Sequence, residues 1–205
     1  MQIKRFIVGA LDTNCYCVNY EDKNICIDPG FGDEELISFL KGKKLDYIIL
    51  THHHIDHILG FHDVMNVIEG EPKVIIHKND YDGLNDPEQN GAGFIGIDFK
   101  PIDKISWFAE DEYELFDGCK LMLSSGHTEG SILVYFYREK ILFSGDTVFA
   151  SAIGRTDLPG SDPKKMISSL RKVIMLPHDI KVYPGHGAST TIGKEIFDLK
   201  SYCEI

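Results

Sequence analysis

"THHHIDH", residues 51–57, places four histidines and one aspartate within seven positions. It follows "LDYIIL", residues 45–50, a nearly unbroken apolar run typical of a strand that is covered on both faces of a sheet. In extended backbone the side chains at positions i and i+2 point the same way, so His52 and His54 can reach one metal ion while His53 points away. The stretch therefore predicts part of a metal site at the end of a buried strand.

Asp56 and His57 stand where the next predicted helix begins. From a helix N-terminus both side chains can project back toward the same cavity, and they offer an oxygen and a nitrogen to a second ion. Imidazole and carboxylate ligands suit zinc, iron or manganese. Without a cysteine ligand, a closed structural zinc site is not expected.

Three later segments repeat the layout in which a strand ends in a ligand-type residue beside glycine. They are "LSSGHTEGS" with His127, "ILFSGDTVF" with Asp146 and "VYPGHG" with His186. Strand ends of a rigid scaffold are well suited to hold a preorganised site. We therefore add these three residues to the candidate metal ligands. Three other histidines are expected to be non-ligands: His62, His77 and His178.

The rest of the chain alternates strand-like and helix-like segments without a break in composition. One helix is predicted over residues 57–70, and another begins at Asp162 as N-cap with Pro163 in the first helical position. Each half of the chain contains several strands and then a helix. We predict one α/β domain over residues 1–205, with sheets inside and helices outside.

Residues 79–104 are rich in turn-forming residues and show little periodicity. A stretch of this length inside a compact domain is more often a functional loop than a linker. Phe94, Phe99, Trp107 and Phe108 are candidates for a substrate-binding wall in or beside it, although aromatic residues in such a fold usually belong to the core.

Composition limits the classes of partner. The formal net charge of −11 argues against nucleic acid and against anionic membrane surfaces. No apolar run is long enough to cross a bilayer, and the N-terminus lacks the apolar stretch of a signal peptide, so a cytoplasmic protein is expected. Nothing in the sequence indicates an oligomeric state.

The five cysteines are scattered and form neither a disulfide framework nor a CxxC pair. They are expected to be buried thiols. Cys15 and Cys17 lie in a strand-like segment, and their thiols are predicted to point to opposite faces.

"THHHIDHILG" matches the T-H-x-H-x-D-H signature of the metallo-β-lactamase superfamily, and the three later ligand candidates follow in that family's order and rough spacing. The resemblance covers about residues 5–195. It implies a four-layer αβ/βα sandwich with the metals at one edge of the two sheets. It also implies a division of the ligands: His52, His54 and His127 for one ion, Asp56, His57 and His186 for the other, and Asp146 bridging them.

"GRTDLPGSDP", residues 154–163, resembles the G-R-T-D-L-P-G segment of the glyoxalase II-like branch, the hydroxyacylglutathione hydrolases. The resemblance implies two divalent ions, zinc before iron or manganese, that hold a hydroxide between them. This hydroxide would split a small-molecule 2-hydroxyacyl thioester such as S-lactoylglutathione, and Asp56 would orient it as well as ligate. The chain ends about 19 residues after His186, so it resembles a short form without the C-terminal helical segment that grips glutathione.

Other activities occur on the same fold. A persulfide dioxygenase, which carries a similar G-R-T-D segment but uses one iron to activate oxygen, is the nearest alternative. A β-lactamase, a nuclease and an electron-transferring diiron protein fit the sequence less well. Two roles remain open for Arg155, a contact with Asp157 that holds its loop or a contact with substrate.

Overall fold

The computed structural model describes residues 1–203, which divide into two compact units. The first runs from Met1 to Phe108 and the second begins at Ala109. Each contains one six-stranded sheet and its own helices, which is the α/β composition predicted. The single domain over residues 1–205 stays a prediction, and its last two residues lie outside the described part.

The sheet of the first unit contains the strands β1 (Gln2–Val8), β2 (Thr13–Tyr20), β3 (Lys23–Ile27), β4 (Tyr47–Ile49), β5 (Lys73–His77) and β6 (Ser106–Phe108). They lie side by side in chain order, antiparallel from β1 to β3 and parallel from β3 to β6. Because the carboxyl ends of parallel strands meet at one edge, the residues that follow β3 and β4 lie close together. The Asp28 amide, for example, donates to the Ile49 carbonyl at 3.0 Å.

The helices of the first unit are short: α1 (Glu34–Leu40), α2 (Ile55–Ile58), α3 (Phe61–Val67), α4 (Lys78–Tyr81) and α5 (Ala92–Ile95). The prediction of one helix over residues 57–70 is wrong, because α2 and α3 are separate and meet at Gly60. A Cβ at Gly60 would lie 2.6 Å from the backbone nitrogen of Gly32, so the chain can approach this closely only at glycine.

The prediction of an irregular loop over residues 79–104 is also only partly right. The segment contains most of α4, a 3₁₀ turn at Gly83–Asn85 and α5. Asn85 closes its far end, since its side chain accepts from the Ile102 amide at 2.8 Å and donates to the Ile102 carbonyl at 3.1 Å. The polar residues of this segment are typical of loops in sequence, but their side chains form the hydrogen bonds that order it.

The second unit contains the strands β7 (Glu112–Phe116), β8 (Cys119–Leu123), β9 (Ile132–Phe136), β10 (Ile141–Gly145), β11 (Val148–Phe149), β12 (Ala152–Ile153), β13 (Lys181–Pro184) and β14 (Thr190–Thr191). Its six-stranded sheet has the order β14-β13-β10-β9-β8-β7. In this sheet β10 and β13 pair in parallel and the other neighbours are antiparallel. The strands β11 and β12 form a separate hairpin that was not predicted from the sequence.

Two longer helices belong to the second unit, α6 (Pro163–Ile174) and α7 (Ile192–Tyr202). The predicted start of α6 is confirmed: the Asp162 carboxylate accepts from the amides of Lys164 and Lys165 at 2.7 and 3.2 Å. The apolar faces of both helices are buried with residues of β10 and β13 in one core cluster. Among residues 1–203, no helix is long and apolar enough to cross a membrane.

All five cysteines are buried and reduced, as predicted. The predicted orientation of Cys15 and Cys17 is wrong. Residues i and i+2 of a strand share a face, and the thiols of Cys15, Cys17 and Cys26 lie within 4.8 Å of one another.

Candidate metal centre

The first unit supplies four donor side chains directly after β4. The backbone of His54 is extended and forms the N-cap of α2, so Asp56 and His57 fall in the first turn of that helix. His52 and His57 are fully buried, while His54 and Asp56 are 7% and 8% exposed. Their burial places four ligand-type groups where an ion would be shielded from bulk water.

Asp28, which follows β3, holds two of these histidines in place. Its Oδ2 lies 2.9 Å from Nδ1 of His57 and accepts from the Thr51 hydroxyl at 2.7 Å, while its Oδ1 accepts from the Thr51 amide at 2.7 Å. Oγ1 of Thr51 is 3.0 Å from Nδ1 of His52. Because the hydroxyl proton goes to Asp28, Nδ1 of His52 is the donor in this contact. Both rings therefore carry their lone pair on Nε2, which is the arrangement found when a histidine binds a metal.

Asp56 is fixed by a residue of β2, Thr13. Its Oδ2 accepts from the Thr13 hydroxyl at 3.0 Å and lies 3.4 Å from Nε2 of His57. Neither Thr13 nor Asp28 was found among the candidates from the sequence. Asp28 had a usable signal, because it is an aspartate that ends a buried strand before Pro-Gly, much as Asp146 ends one beside glycine.

The second unit brings together its own three candidates. Oδ2 of Asp146 lies 3.5 Å from Nε2 of His127 and 3.6 Å from Nε2 of His186. Nδ1 of His127 is 2.9 Å from the Arg155 carbonyl, which can only accept, so Nε2 again carries the lone pair. One carboxylate oxygen thus faces the metal-binding nitrogens of two different histidines.

These distances test whether a metal fits. The three Nε2···Oδ2 distances, 3.4, 3.5 and 3.6 Å, exceed those of ordinary N–H···O hydrogen bonds. Two ligand atoms bound at about 2.0–2.1 Å to one tetrahedral ion lie about 3.3–3.4 Å apart. The spacing is therefore that of ligands sharing an ion, and the histidine and carboxylate donors fit divalent zinc, iron or manganese.

The segment around Arg155 supports the second unit's ligands through its backbone. A Cβ at Gly154 would lie 1.7 Å from the Asp146 carbonyl oxygen, and the next carbonyl is the one that contacts His127. The Arg155 guanidinium forms two bonds of 2.7 and 2.9 Å to Asp157, which hold the pKa of that exposed carboxyl below its ordinary value. Of the two roles considered for Arg155, the structure contains the contact with Asp157.

Three of the histidines expected to be non-ligands, His53, His62 and His77, have other contacts. His53 lies 3.1 Å from Asp80 through Nδ1 and 3.2 Å from the Gln89 carbonyl through Nε2. His62 contacts the carbonyls of residues 100 and 101, and Nδ1 of His77 accepts from the Asn79 amide. His53 thus connects the ligand stretch to the following loop.

The candidate substrate-wall aromatics differ in exposure. Phe108 is buried and Phe99 packs against the core of the first unit. Phe94 and Trp107 are 70% and 50% exposed, so these two of the four present at least half of their surface to solvent.

Asp28→Asn is expected to lower metal affinity about 10- to 100-fold. The amide nitrogen that replaces one carboxylate oxygen cannot accept, so either the Thr51 amide or the pair formed by the Thr51 hydroxyl and Nδ1 of His57 loses its acceptor. Competition with a chromogenic chelator measures the change. Asp46→Asn is the matched control, since Asp46 accepts the Asn24 amide at 2.9 Å near the opposite end of β3. Equal affinity in both variants would contradict the supporting role of Asp28.

A family model described as the metallo-beta-lactamase superfamily matches residues 8–186. Hydroxyacylglutathione hydrolase GloC of Haemophilus influenzae is 34% identical over 203 residues, which cover 95% of this chain and 95% of that protein. The matched range includes every candidate ligand.

Two solved structures resemble the chain over nearly their whole length. TTHA1623 in a di-iron-bound form is 31% identical with a TM-score of 0.84, covering 94% of this chain and 96% of that one. The BLEG-1 B3 metallo-beta-lactamase is 34% identical with a TM-score of 0.84, covering 96% and 97%. These similarities confirm the predicted fold.

Proposed function

The chain belongs to the metallo-beta-lactamase superfamily, with relatives that fit its glyoxalase II-like branch, and from this premise we propose that it is a binuclear metal-dependent hydrolase of thioesters. One ion would be held by three histidines and the other by two histidines and an aspartate, with a second aspartate shared. The proposed ligands are His52, His54 and His127 for the first ion, Asp56, His57 and His186 for the second, and Asp146 for both.

The shared carboxylate is the observation that carries this proposal. Oδ2 of Asp146 is nearly equidistant from Nε2 of His127 and Nε2 of His186, at 3.5 and 3.6 Å. A carboxylate shared by two ions would face one histidine of each ion in this way, whereas two histidines and a carboxylate on a single iron would give the same spacing, so the number of ions per chain decides between the two arrangements. The di-iron form of TTHA1623, at 31% identity, supports the same number of ions. We propose zinc as the ion, with iron and manganese as the alternatives that these ligands accept.

Bound divalent cations would supply a hydroxide at neutral pH and polarise the carbonyl that it attacks. The protein's part is to fix the groups around them. Asp56 is held by the Thr13 hydroxyl through Oδ2. In this position its carboxylate would accept a hydrogen bond from the attacking water and direct that water toward the carbonyl. Thr51 and Asp28 keep the rings of His52 and His57 in one orientation, so these two rings do not have to reorganise during the reaction.

The proposed substrate is a small-molecule 2-hydroxyacyl thioester such as S-lactoylglutathione. The supporting relative is the hydroxyacylglutathione hydrolase GloC, at 34% identity. The net charge of −11 argues against nucleic acid and anionic membrane surfaces as partners, which leaves a small-molecule substrate as the proposal. The proposed location is the cytoplasm.

The test measures metal content and thioester hydrolysis on the same protein, purified without added metal or chelator. We expect close to two ions per chain and loss of the thioester ultraviolet absorbance of S-lactoylglutathione, abolished by a chelator and restored by metal. Thioester absorbance avoids interference from the protein's own thiols. One iron per chain, with oxygen consumed in the presence of glutathione persulfide, would instead identify the iron dioxygenase.

β-Lactam hydrolysis is a second candidate, favoured by the 34% identity to the BLEG-1 B3 metallo-beta-lactamase. It needs the same ions and the same attack on a carbonyl, so the two activities differ only in substrate. Specificity is the ratio of the two kcat/KM values. We expect that ratio to favour the thioester, and a ratio that favours a β-lactam such as nitrocefin would replace the first proposal with the second.

A further inference from the structure

Three thiols form a cluster on β2 and β3, outside the candidate metal ligands: Cys15, Cys17 and Cys26. A cavity of about 620 Å³ opens beside them in the first unit. Cys17 lines this cavity and is 8% exposed, whereas Cys15 and Cys26 are fully buried behind it. One thiol of the cluster is therefore in reach of a small molecule, and two thiols stand behind it.

The cavity is cationic around Cys17. Lys4 lies directly across the strand pair from Cys17, and Lys43 and Lys44 also line the cavity. The Nζ of Lys43 lies 3.1 Å from the centre of the Phe39 ring, which holds the charge at the cavity wall. Two acids lie beside this group: Glu35, 3.7 Å from Lys4, and Asp46, 3.6 Å from Lys44. A positive surrounding favours the thiolate form of a cysteine, the form that reacts.

The thiol pKa values follow this arrangement. Hydrogen bonds from the thiols of Cys15 and Cys26, with the charges of Lys43 and Lys4, lower the pKa of Cys17 to about 5. Burial raises the pKa of Cys15 well above its ordinary value. The pKa of Cys26 is also raised well above its ordinary value, because the lowering by its hydrogen bond with Cys15 is outweighed by the hydrogen bond with Cys17 and by burial. Cys17 is thus the nucleophile of the cluster, and Cys15 and Cys26 are its protonated neighbours.

Cys26 is the better placed partner for a disulfide with Cys17. The two residues are directly opposite each other in the antiparallel register of β2 and β3. Opposed residues in such a pair have Cα atoms about 4.5–5.5 Å apart, inside the range of about 4.4–6.8 Å that a disulfide requires. All three sulfurs already lie within 4.8 Å of one another, and those of Cys15 and Cys26 are 3.7 Å apart.

We propose that Cys17 is a modification site for hydroperoxides and that Cys26 converts the product into a disulfide. The Cys17 thiolate attacks the peroxide, the O–O bond breaks, and Cys17 becomes a sulfenic acid while the alcohol or water leaves. The sulfur of Cys26 then attacks that of Cys17, the S–O bond breaks, and water leaves with the Cys26 proton. Two thiols are oxidised, and one hydroperoxide is reduced to an alcohol or water and a second water.

The disulfide would form on the two strands that also orient the metal ligands. Thr13, the donor to Asp56, lies on β2 two residues before Cys15, and Asp28 lies two residues after Cys26. The proposed modification does not depend on the proposed hydrolase activity, because its test measures only the oxidation products of the cysteines.

Hydrogen peroxide is added to the reduced, metal-containing protein, and the peptides are mapped by mass spectrometry over time. We expect a Cys17–Cys26 disulfide as the first product, formed roughly tenfold or more faster than oxidation of Cys119 or Cys203, whose pKa values are raised by burial. A first product at Cys119 or Cys203, a Cys15–Cys26 disulfide, or no cysteine product would each overturn the proposal.

Variants separate the two steps. In Cys26→Ser we expect Cys17 to stop at the sulfenic acid and to be trapped by dimedone, while Cys17→Ser should remove both products. Cys203→Ser is the matched control and should oxidise like the wild type. If Cys17→Ser fails to fold, the Cys26→Ser trapping result decides: no dimedone adduct on Cys17 would contradict the proposal.

Discussion

Asp146→Asn is expected to lower thioester hydrolysis by at least about 10³-fold and to lower the metal content below two ions per chain. The amide oxygen is a weaker ligand than a carboxylate, and its nitrogen cannot bind a cation. Metal-ion catalysis of this type lowers the activation free energy by several kcal/mol, and each 1.36 kcal/mol corresponds to a factor of about ten in rate. Steady-state kinetics together with elemental analysis of the same sample measure both effects.

The control for this variant is Asp162→Asn in the same unit. Asp162 caps α6 through two backbone amides, and asparagine is an equally good N-cap, so activity and metal content should stay at the wild-type level. Circular dichroism of Asp146→Asn shows whether the fold is retained. Full metal occupancy with a rate within a few-fold of the wild type would contradict the assignment of Asp146 as the shared ligand.

The donor residues were predictable because their signals are local. His52 and His54 are two positions apart on extended backbone after an apolar run, and Asp146 directly follows a buried strand beside glycine. Local spacing of this kind depends only on the geometry of the strand. The supporting residues were missed because they reach the ligands through topology. Asp28 is 29 positions from His57 and Thr13 is 43 from Asp56, so only strand order and register bring them together.

The errors in the predicted fold have similar causes. The apolar periodicity of residues 57–70 is helical throughout, but close packing against the backbone of Gly32 ends the first helix before Gly60. Tertiary contact here overrides local preference. Residues 79–104 show the opposite error: their sequence lacks helical periodicity, yet short helices form. Side-chain hydrogen bonds such as those of Asn85 order this segment.

Gly154→Ala is expected to lower kcat/KM by about 10²-fold or more and to lower the unfolding temperature. An alanine Cβ would lie 1.7 Å from the Asp146 carbonyl oxygen, so the backbone of one of the two segments must move. The same segment carries the Arg155 carbonyl that orients His127, 2.9 Å from its Nδ1. A displacement of about 1 Å near the reacting groups is enough for a loss of this size. Kinetics and thermal unfolding of the purified variant measure the two effects.

Arg155→Ala is the matched comparison, because it removes a side chain from the same segment and leaves the carbonyl in place. Its guanidinium bonds Asp157 in an exposed pair, and such pairs contribute little to stability. We therefore expect kcat/KM within about threefold of the wild type, since the backbone and not the side chain supports His127. A large rise in KM for Arg155→Ala with an unchanged unfolding temperature would show instead that Arg155 contacts substrate. If Gly154→Ala kept wild-type activity, the backbone support of the two ligands would be refuted.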